Sequence, residues 1–474
     1  MICLMSMLVP VIMFGWIPLV IGLFAVLPPR RAAIAAFLFA WLFLPNAGYV
    51  IGGLPDYTKV SATSLGVLLG TVLFASGRLL KFRPSLLDLA MVVWCLVPLA
   101  SSLDNDLGLY DGLSASLGQT VTWGVPYLLG RVYISDLEGL RELAIGIFIG
   151  GVIYIPLILF ENRMSPQLHG MVYGLGSGFR QYEGFGGLGW QPWGFFQNAL
   201  ALTMFMAGAS LIGVWLWATG SLRRLWGVSM AWLVLAVAAA TILCKSLGAN
   251  VLVVVCIVAL LVTRWFGTKV LLVCLLAVGP AYITLRLTDL WTGQNAVEFI
   301  SNSVSEARAG SLQVRLDNEV VLARHALEQP YFGWGGWGRN RVYDENGQDT
   351  TLTDGMWVIA LGQNGFVGML SFVGFLLLPF ALLLWRLPLR DWWSPRCAPA
   401  AALATLLGAW MFDNLMNAMV NPILTLAAGG VAGFAAALCR SVLTKPMGEW
   451  QYLFDPSDNH LACPKAKGTN SAPG

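Results

Sequence analysis

Apolar residues occur along this chain in long runs that short polar or basic linkers separate. Most runs reach about 18 residues, which is enough for a helix to cross the hydrocarbon core of a bilayer. The pattern therefore predicts an all-α, polytopic helical membrane protein with about 12–13 transmembrane helices. The spans are expected near 8–27, 32–53, 60–78, 86–103, 114–133, 142–160, 194–218, 226–246, 248–264, 268–286, 356–387, 398–418 and 421–440.

Composition supports the same class of protein. Of the 474 residues, 57% are hydrophobic and only 11% are charged, and the mean hydropathy is +0.71. A soluble domain carries about 25% charged residues. The net charge of +3 is too small to indicate a nucleic-acid partner, so the lipid bilayer is the partner that composition predicts.

The basic linkers alternate along the chain with neutral or acidic ones. By the positive-inside rule, the basic linkers face the cytoplasm, which places the N-terminus outside and the C-terminus inside. The domains are then a transmembrane domain over 1–440, a large outer loop at 287–355 within it, and a flexible cytoplasmic tail at 441–474. The first apolar run is predicted as a span and not as a cleavable signal peptide, because its basic flank follows it.

The large outer loop contains one amphipathic helix, predicted over AGSLQVRLDNEVVLARHALEQP. Its apolar residues recur at spacings of three and four, with Ser311 as the expected cap and Pro330 near its end. At about 100° per residue, Arg308 and Arg315 share one edge of the apolar stripe, and Arg324 lies on the other edge.

Arginines are the main candidates for ligand binding, because the guanidinium group suits bidentate recognition of phosphate. Each arginine taken singly is better explained as a surface residue paired with an acid. The group as a whole favours a site for the pyrophosphate of a lipid-linked substrate. The arginines of the outer loops are Arg163, Arg180, Arg308, Arg315, Arg324, Arg339 and Arg341.

Two further features of the loop have competing interpretations. Trp334 and Trp337 lie among glycines, and they either stack on sugar rings or anchor a tight turn at the membrane interface. Asp354 is either a general base or a helix cap, the cap being the commoner role for such a residue. Lys245 either reaches the interface or joins the arginine site, and Asp413, with its neighbouring asparagines, is interpreted as a packing contact between helices. The sequence has no metal-binding motif, so we expect no metal and no cofactor.

Three short stretches together suggest a family. These are CKSLGA, the turn PYFGWGGWG, and TDGMWVIALGQNGFVG, in which a polar residue opens a span. In their order and topology they resemble the O-antigen ligase and O-antigen polymerase superfamily of bacterial inner-membrane proteins. The resemblance covers about 60–440.

The resemblance implies a glycosyltransferase with an all-helical, C-type membrane fold. Such enzymes transfer a glycan from undecaprenyl diphosphate to a glycan or lipid acceptor hydroxyl at the periplasmic face, without a metal. Arg315 and Arg324 match the arginine-bearing helix of the family, and Arg339 and Arg341 match the turn after it. Asp354 stands where the family carries a histidine that is proposed to activate the acceptor, and aspartate is ordinarily the weaker base.

Two alternatives come from other classes of protein. A transporter or flippase of lipid-linked glycans should carry ionisable residues at mid-membrane and internal repeats. Here the charges lie mainly in the outer loops, which favours the enzyme. A non-catalytic assembly subunit is favoured only by the missing histidine. The sugar, the acceptor and the choice between ligase and polymerase stay open at this point.

Overall fold

The computed structural model describes residues 2–52, 54–175, 189–303, 305–336 and 338–444. About 74% of the structure is helical, and the strands in the described part are two antiparallel pairs of two residues each. These pairs are β1 (Gly48–Tyr49) with β2 (Tyr57–Thr58), and β3 (Arg224–Leu225) with β4 (Val228–Ser229). The predicted all-α class is confirmed.

Seventeen α-helices make up most of the described part of the chain. They are α1 (Ile2–Val26), α2 (Pro29–Phe43), α3 (Lys59–Leu80), α4 (Asp88–Asp104), α5 (Leu109–Gln119), α6 (Val125–Tyr133), α7 (Leu137–Met164), α8 (Leu168–Tyr173), α9 (Ala199–Ala218), α10 (Met230–Leu243), α11 (Leu247–Trp265), α12 (Val270–Leu287), α13 (Gln294–Ser303), α14 (Glu306–Ala326), α15 (Met356–Arg386), α16 (Ala398–Met416) and α17 (Pro422–Thr444). A π-helical turn, Thr120–Gly124, joins α5 to α6, and a 3₁₀ turn, Leu389–Trp393, precedes α16.

Eight helices of the described part are long and apolar enough to cross a membrane, which indicates a multi-pass membrane protein. They lie in α1, α3, α7, α9, α11, α12, α15 and α17. The other predicted spans correspond to helices that are shorter or less apolar. The predicted span at 32–53 is wrong in extent, because α2 ends at Phe43 and the chain is extended from Leu44, just before Pro45.

Basic linkers meet one another at one end of the bundle. Arg30 pairs with Asp136, which lies in the basic linker over 131–141. The Lys269 ammonium, which precedes α12, donates to the Leu387 carbonyl at 2.7 Å after the end of α15. These contacts place the start of α2 near the start of α7 and the start of α12 near the end of α15. The alternation of the spans that the charge pattern predicts stays a prediction. Which membrane face each end occupies stays a prediction.

The longest helix, α15, is broken near its middle. Gly365 has φ +61° and ψ −164°, which no helical residue adopts. The glycine-rich turn at 330–336 docks its backbone into this break, where the Phe366 amide donates to the Pro330 carbonyl at 2.7 Å. Glycine is required at the break because a left-handed φ is costly for other residues.

Gly365→Ala is expected to lower the thermal stability of the protein. The added Cβ would collide with the Tyr331 carbonyl, in addition to the strain of the left-handed φ. Strain of about 1–2 kcal/mol and overpacking of about 1–3 kcal/mol are the expected costs. Gly310→Ala is the matched control, since Gly310 lies in α14 with nothing within 4 Å of an added Cβ. Equal unfolding midpoints of the two variants in detergent would contradict the role of the break.

Candidate functional site

Helix α14 carries the predicted arginines and begins earlier than its pattern indicates. Its cap is Ser305, whose hydroxyl accepts from the Arg308 amide at 3.4 Å. The prediction that Ser311 caps the helix is wrong, because the helix already includes one more turn before it. The extra turn includes Arg308, which is half-buried and lines the cavity described below.

A buried ion pair fixes α14 on the bundle. Glu319 in α14 and Arg286 at the end of α12 are 4% and 6% exposed, and their side chains pair at 3.3 Å. The Glu319 carboxylate also accepts from the Tyr282 hydroxyl at 2.6 Å and from the Trp357 indole at 3.3 Å. Burial raises the pKa of Glu319 from its ordinary value. Because partners from α12 and α15 converge on it, Glu319 sets the position of α14 relative to both helices.

Arg286 extends the same network to the backbone. Its guanidinium donates to the Leu316 carbonyl at 2.6 Å and to the Thr292 carbonyl at 2.9 Å. Leu316 is the residue after Arg315 in α14, so the bond fixes this part of the helix directly. In the sequence, Arg286 is recognisable only as the last residue of the predicted span at 268–286. No local pattern predicts its partners.

A cavity of about 990 Å³ lies under α14, between α11 and α12. We call it the α14 cavity. Its lining along α11 is apolar and includes Val251, Val255 and Val258, each of which is at least 43% exposed. The exposed valines indicate that the cavity opens sideways, toward the region that lipid would occupy.

Three basic side chains line the α14 cavity near the start of α11, and we call them its basic rim. Arg308 and Arg315 lie about two turns apart on α14, and Lys245 comes from the linker between α10 and α11. Partial burial lowers the pKa of Lys245 from its ordinary value. An apolar cleft below a cationic rim is complementary to an amphiphilic anion, with the chain in the cleft and the charged group at the rim.

The predicted acid, Asp354, does not line the cavity itself but pairs with Arg315 of its rim. The Arg315 Nε atom is 3.3 Å from an Asp354 carboxylate oxygen, and the Asp354 side chain is 42% exposed. Helix α15 begins after Gly355 and has no side-chain cap, so Asp354 does not cap it. The structure thus brings together a guanidinium and an open carboxylate beside the cavity.

The last residue of α16 and the residue that follows it support Arg315 from the other side. The Arg315 guanidinium donates to the Asn417 side-chain oxygen and to the Met416 carbonyl, both at 3.4 Å. The Asn417 amide donates in turn to the Asp413 carboxylate at 2.9 Å. The sequence interpretation of this motif as a helix-packing contact misses its link to Arg315, which is 102 residues away.

The remaining predicted site residues lie outside the α14 cavity. Arg324 is 72% exposed and 4.0 Å from Asp289. The Arg339 side chain donates to the Trp334 carbonyl at 3.0 Å, and Arg341 pairs with Asp349. Their roles in substrate binding stay predictions, and so do those of Arg180 and Trp337, which lie outside the described residues.

Trp334 packs against α14 instead of facing the cavity. Its ring stacks on His325 with centroids 4.6 Å apart, and its indole donates to the His325 carbonyl at 2.9 Å. Its amide donates to the Gly362 carbonyl at 2.8 Å, within α15. The glycines of the turn therefore allow the close approach of two backbone segments. Trp334 joins α14 to α15, which is the geometry of an anchored turn.

Among the described residues there is no group of three or more histidines, cysteines, aspartates or glutamates that could hold a metal ion. The sequence matches no family model. It also matches none of the curated proteins with which it was compared.

Proposed function

We propose that this protein is a membrane glycosyltransferase of the O-antigen ligase and polymerase type. In this proposal it transfers a glycan from undecaprenyl diphosphate to an acceptor hydroxyl, at the periplasmic face of a bacterial inner membrane, during surface polysaccharide assembly. The α14 cavity is the observation that carries the proposal. It combines an apolar cleft with three basic side chains at one end of the bundle, and an open carboxylate pairs with one of them.

Each part of the site has a chemical task in this reaction. The cleft takes the first part of the polyprenyl chain, because an apolar groove open toward the hydrocarbon region offers the chain van der Waals contacts in place of those with lipid. Arg308 and Arg315 bind the diphosphate by charge-assisted hydrogen bonds and stabilise the charge that develops as the sugar–phosphate bond breaks. Asp354 accepts the proton of the acceptor hydroxyl, which then attacks the anomeric carbon while undecaprenyl diphosphate leaves.

Binding of undecaprenyl diphosphate to the purified protein in detergent tests the cavity without knowledge of the sugar. Arg315→Gln is expected to weaken binding by about tenfold, since a hydrogen bond to a charged group contributes about 1.5–3 kcal/mol. Arg308→Gln should act in the same direction. Arg324→Gln is the matched control, because Arg324 belongs to the same helix but does not line the cavity.

Two control ligands test the basic rim and the apolar cleft of the cavity separately. Undecaprenol lacks the diphosphate and should lose most of the contribution from the arginines. Inorganic pyrophosphate lacks the chain and should bind weakly. Equal affinity of the wild type and Arg315→Gln for undecaprenyl diphosphate would overturn the assignment of the cavity.

A further inference from the structure

Helices α9 and α11 each connect two cavities. Near their starts, Leu200 and Leu247 line the α14 cavity, whereas near their ends Trp217 and Arg264 line a second cavity of about 700 Å³. Seventeen residues separate the two lining positions on each helix, since 217 − 200 = 17 and 264 − 247 = 17. At a rise of 1.5 Å per residue the cavities are about 25 Å apart. The second cavity, which we call the arginine pocket, is therefore a separate site.

One guanidinium of the arginine pocket is held by a tryptophan pair. Arg264 lies over the Trp393 ring at 4.7 Å from its centroid, a cation–π contact. The Trp393 ring meets the fully buried Trp215 at 4.3 Å, and its indole donates to the Thr263 hydroxyl at 2.9 Å. Because Trp393 cannot rotate without breaking these contacts, the direction of the Arg264 guanidinium is set before any ligand binds.

The second guanidinium comes from the turn after α9. Gly220 has φ +74°, and the Arg223 guanidinium lies 3.8 Å from the position of a Cβ at Gly220, so this side chain folds back over the turn. Ser229 also lines the arginine pocket. Among the described residues, no aspartate or glutamate lines it. Neither Arg223 nor Arg264 has a carboxylate within 4.0 Å in the parts of the chain that the structure describes.

We propose that the arginine pocket binds a phosphate group, carried by an anionic phospholipid headgroup or by a soluble compound. Two planar guanidinium groups on one polar cavity, without a competing carboxylate, suit the oxygens of a phosphate. Aromatic side chains at this end of the bundle are exposed, with Trp217 at 48%, Trp265 at 68% and Phe266 at 74%. Exposed tryptophans are typical of the headgroup level of a membrane, which places the pocket where lipid phosphates lie.

Thermal unfolding of the full chain in a nonionic detergent tests the proposal, since a ligand that binds the folded state raises the unfolding midpoint. The probes are phosphatidylglycerol, phosphatidylcholine and inorganic phosphate, each titrated separately. The test variants are Arg264→Gln and Arg223→Gln. Arg224→Gln is the matched control, because it removes the same charge from an exposed neighbouring position that does not line the pocket.

We expect phosphatidylglycerol to raise the midpoint of the wild type and of Arg224→Gln at the same concentration. Arg264→Gln should need about tenfold more lipid for the same shift, because it loses a charge-assisted contact. A shift with inorganic phosphate alone, also lost in Arg264→Gln, would assign the pocket to a soluble phosphate compound. The proposal is overturned if neither phosphatidylglycerol nor inorganic phosphate shifts the wild type, if phosphatidylcholine shifts it as much as phosphatidylglycerol, or if Arg224→Gln weakens the shift as much as Arg264→Gln.

Discussion

Asp354→Asn is expected to lower the rate of glycan transfer by about a hundredfold or more while leaving the fold intact. Removing a general base commonly costs a factor of about 10²–10⁴. Asparagine keeps the shape of the side chain but cannot accept the proton of the acceptor hydroxyl. Its amide oxygen can still accept from Arg315, so the 3.3 Å contact between the two residues need not be lost. The measurement is transfer from lipid-linked glycan in proteoliposomes.

Asp317→Asn is the matched control for this variant. Asp317 is an exposed acid of α14 that accepts a hydrogen bond from Gln313 at 2.6 Å and does not line the α14 cavity. Binding of undecaprenyl diphosphate by Asp354→Asn should stay within about threefold of the wild type, because the basic rim is unchanged. Loss of transfer with binding retained would assign a chemical role to the carboxylate.

The same variant separates the enzyme from the transporter alternative. A flippase of lipid-linked glycans would use the apolar cleft and the basic rim but has no step that needs a base at Asp354. Retained glycan transfer by Asp354→Asn would contradict the assignment of Asp354 as the general base. Translocation of lipid-linked glycan across the bilayer by the wild type, without transfer to an acceptor, would favour the flippase.

The eight long apolar helices of the described part and the arginine-bearing helix could be predicted because their signals are local. An apolar run needs no partner elsewhere in the chain to identify it, and a stripe at spacings of three and four marks one face of a helix. The separation of Arg308 and Arg315 from Arg324 follows from the same periodicity. In the structure Arg308 and Arg315 line the α14 cavity, and Arg324 does not.

The surroundings of Asp354 could not be predicted because they depend on contacts between distant residues. Its partner Arg315 is held by Asn417, and neither pairing has a pattern in the sequence. A polar residue before an apolar run is most often a cap, so propensity favours that role. The packing of α14 against α15 supplies the ion pair with Arg315 instead, and Gly355 is the N-cap residue of α15.

The role of the glycine-rich turn could not be predicted from the sequence either. Its composition is compatible with a ligand-binding loop and with a tight turn, since glycine permits close approach of any group to the backbone. The group that approaches is the broken segment of α15 at Gly365. A break inside an apolar run leaves hydropathy unchanged, so the sequence contains no signal for it beyond the glycine itself.

Glu319→Ala is expected to destabilise the protein by about 3–5 kcal/mol, because removing one partner of a buried pair leaves the other charge without compensation. The Arg286 guanidinium would stay 6% exposed without its carboxylate, and the Tyr282 hydroxyl and Trp357 indole would lose an acceptor. The measurement is the unfolding midpoint in detergent. Asp317→Asn, two residues away on the exposed face of α14, should change stability by no more than about 0.5 kcal/mol.

The position of α14, and not only its stability, depends on this pair. Glu319→Gln keeps the volume and can still accept from Tyr282, but it leaves the Arg286 charge buried, so it should also destabilise. A double variant, Arg286→Met with Glu319→Leu, removes both charges and should recover part of the loss, because apolar replacements of buried pairs are often tolerated. Recovery should be incomplete, since the Leu316 carbonyl loses its donor. If Glu319→Ala unfolds at the same midpoint as Asp317→Asn, the pair does not hold α14 in place, and the position of Arg315 beside Asp354 needs another cause.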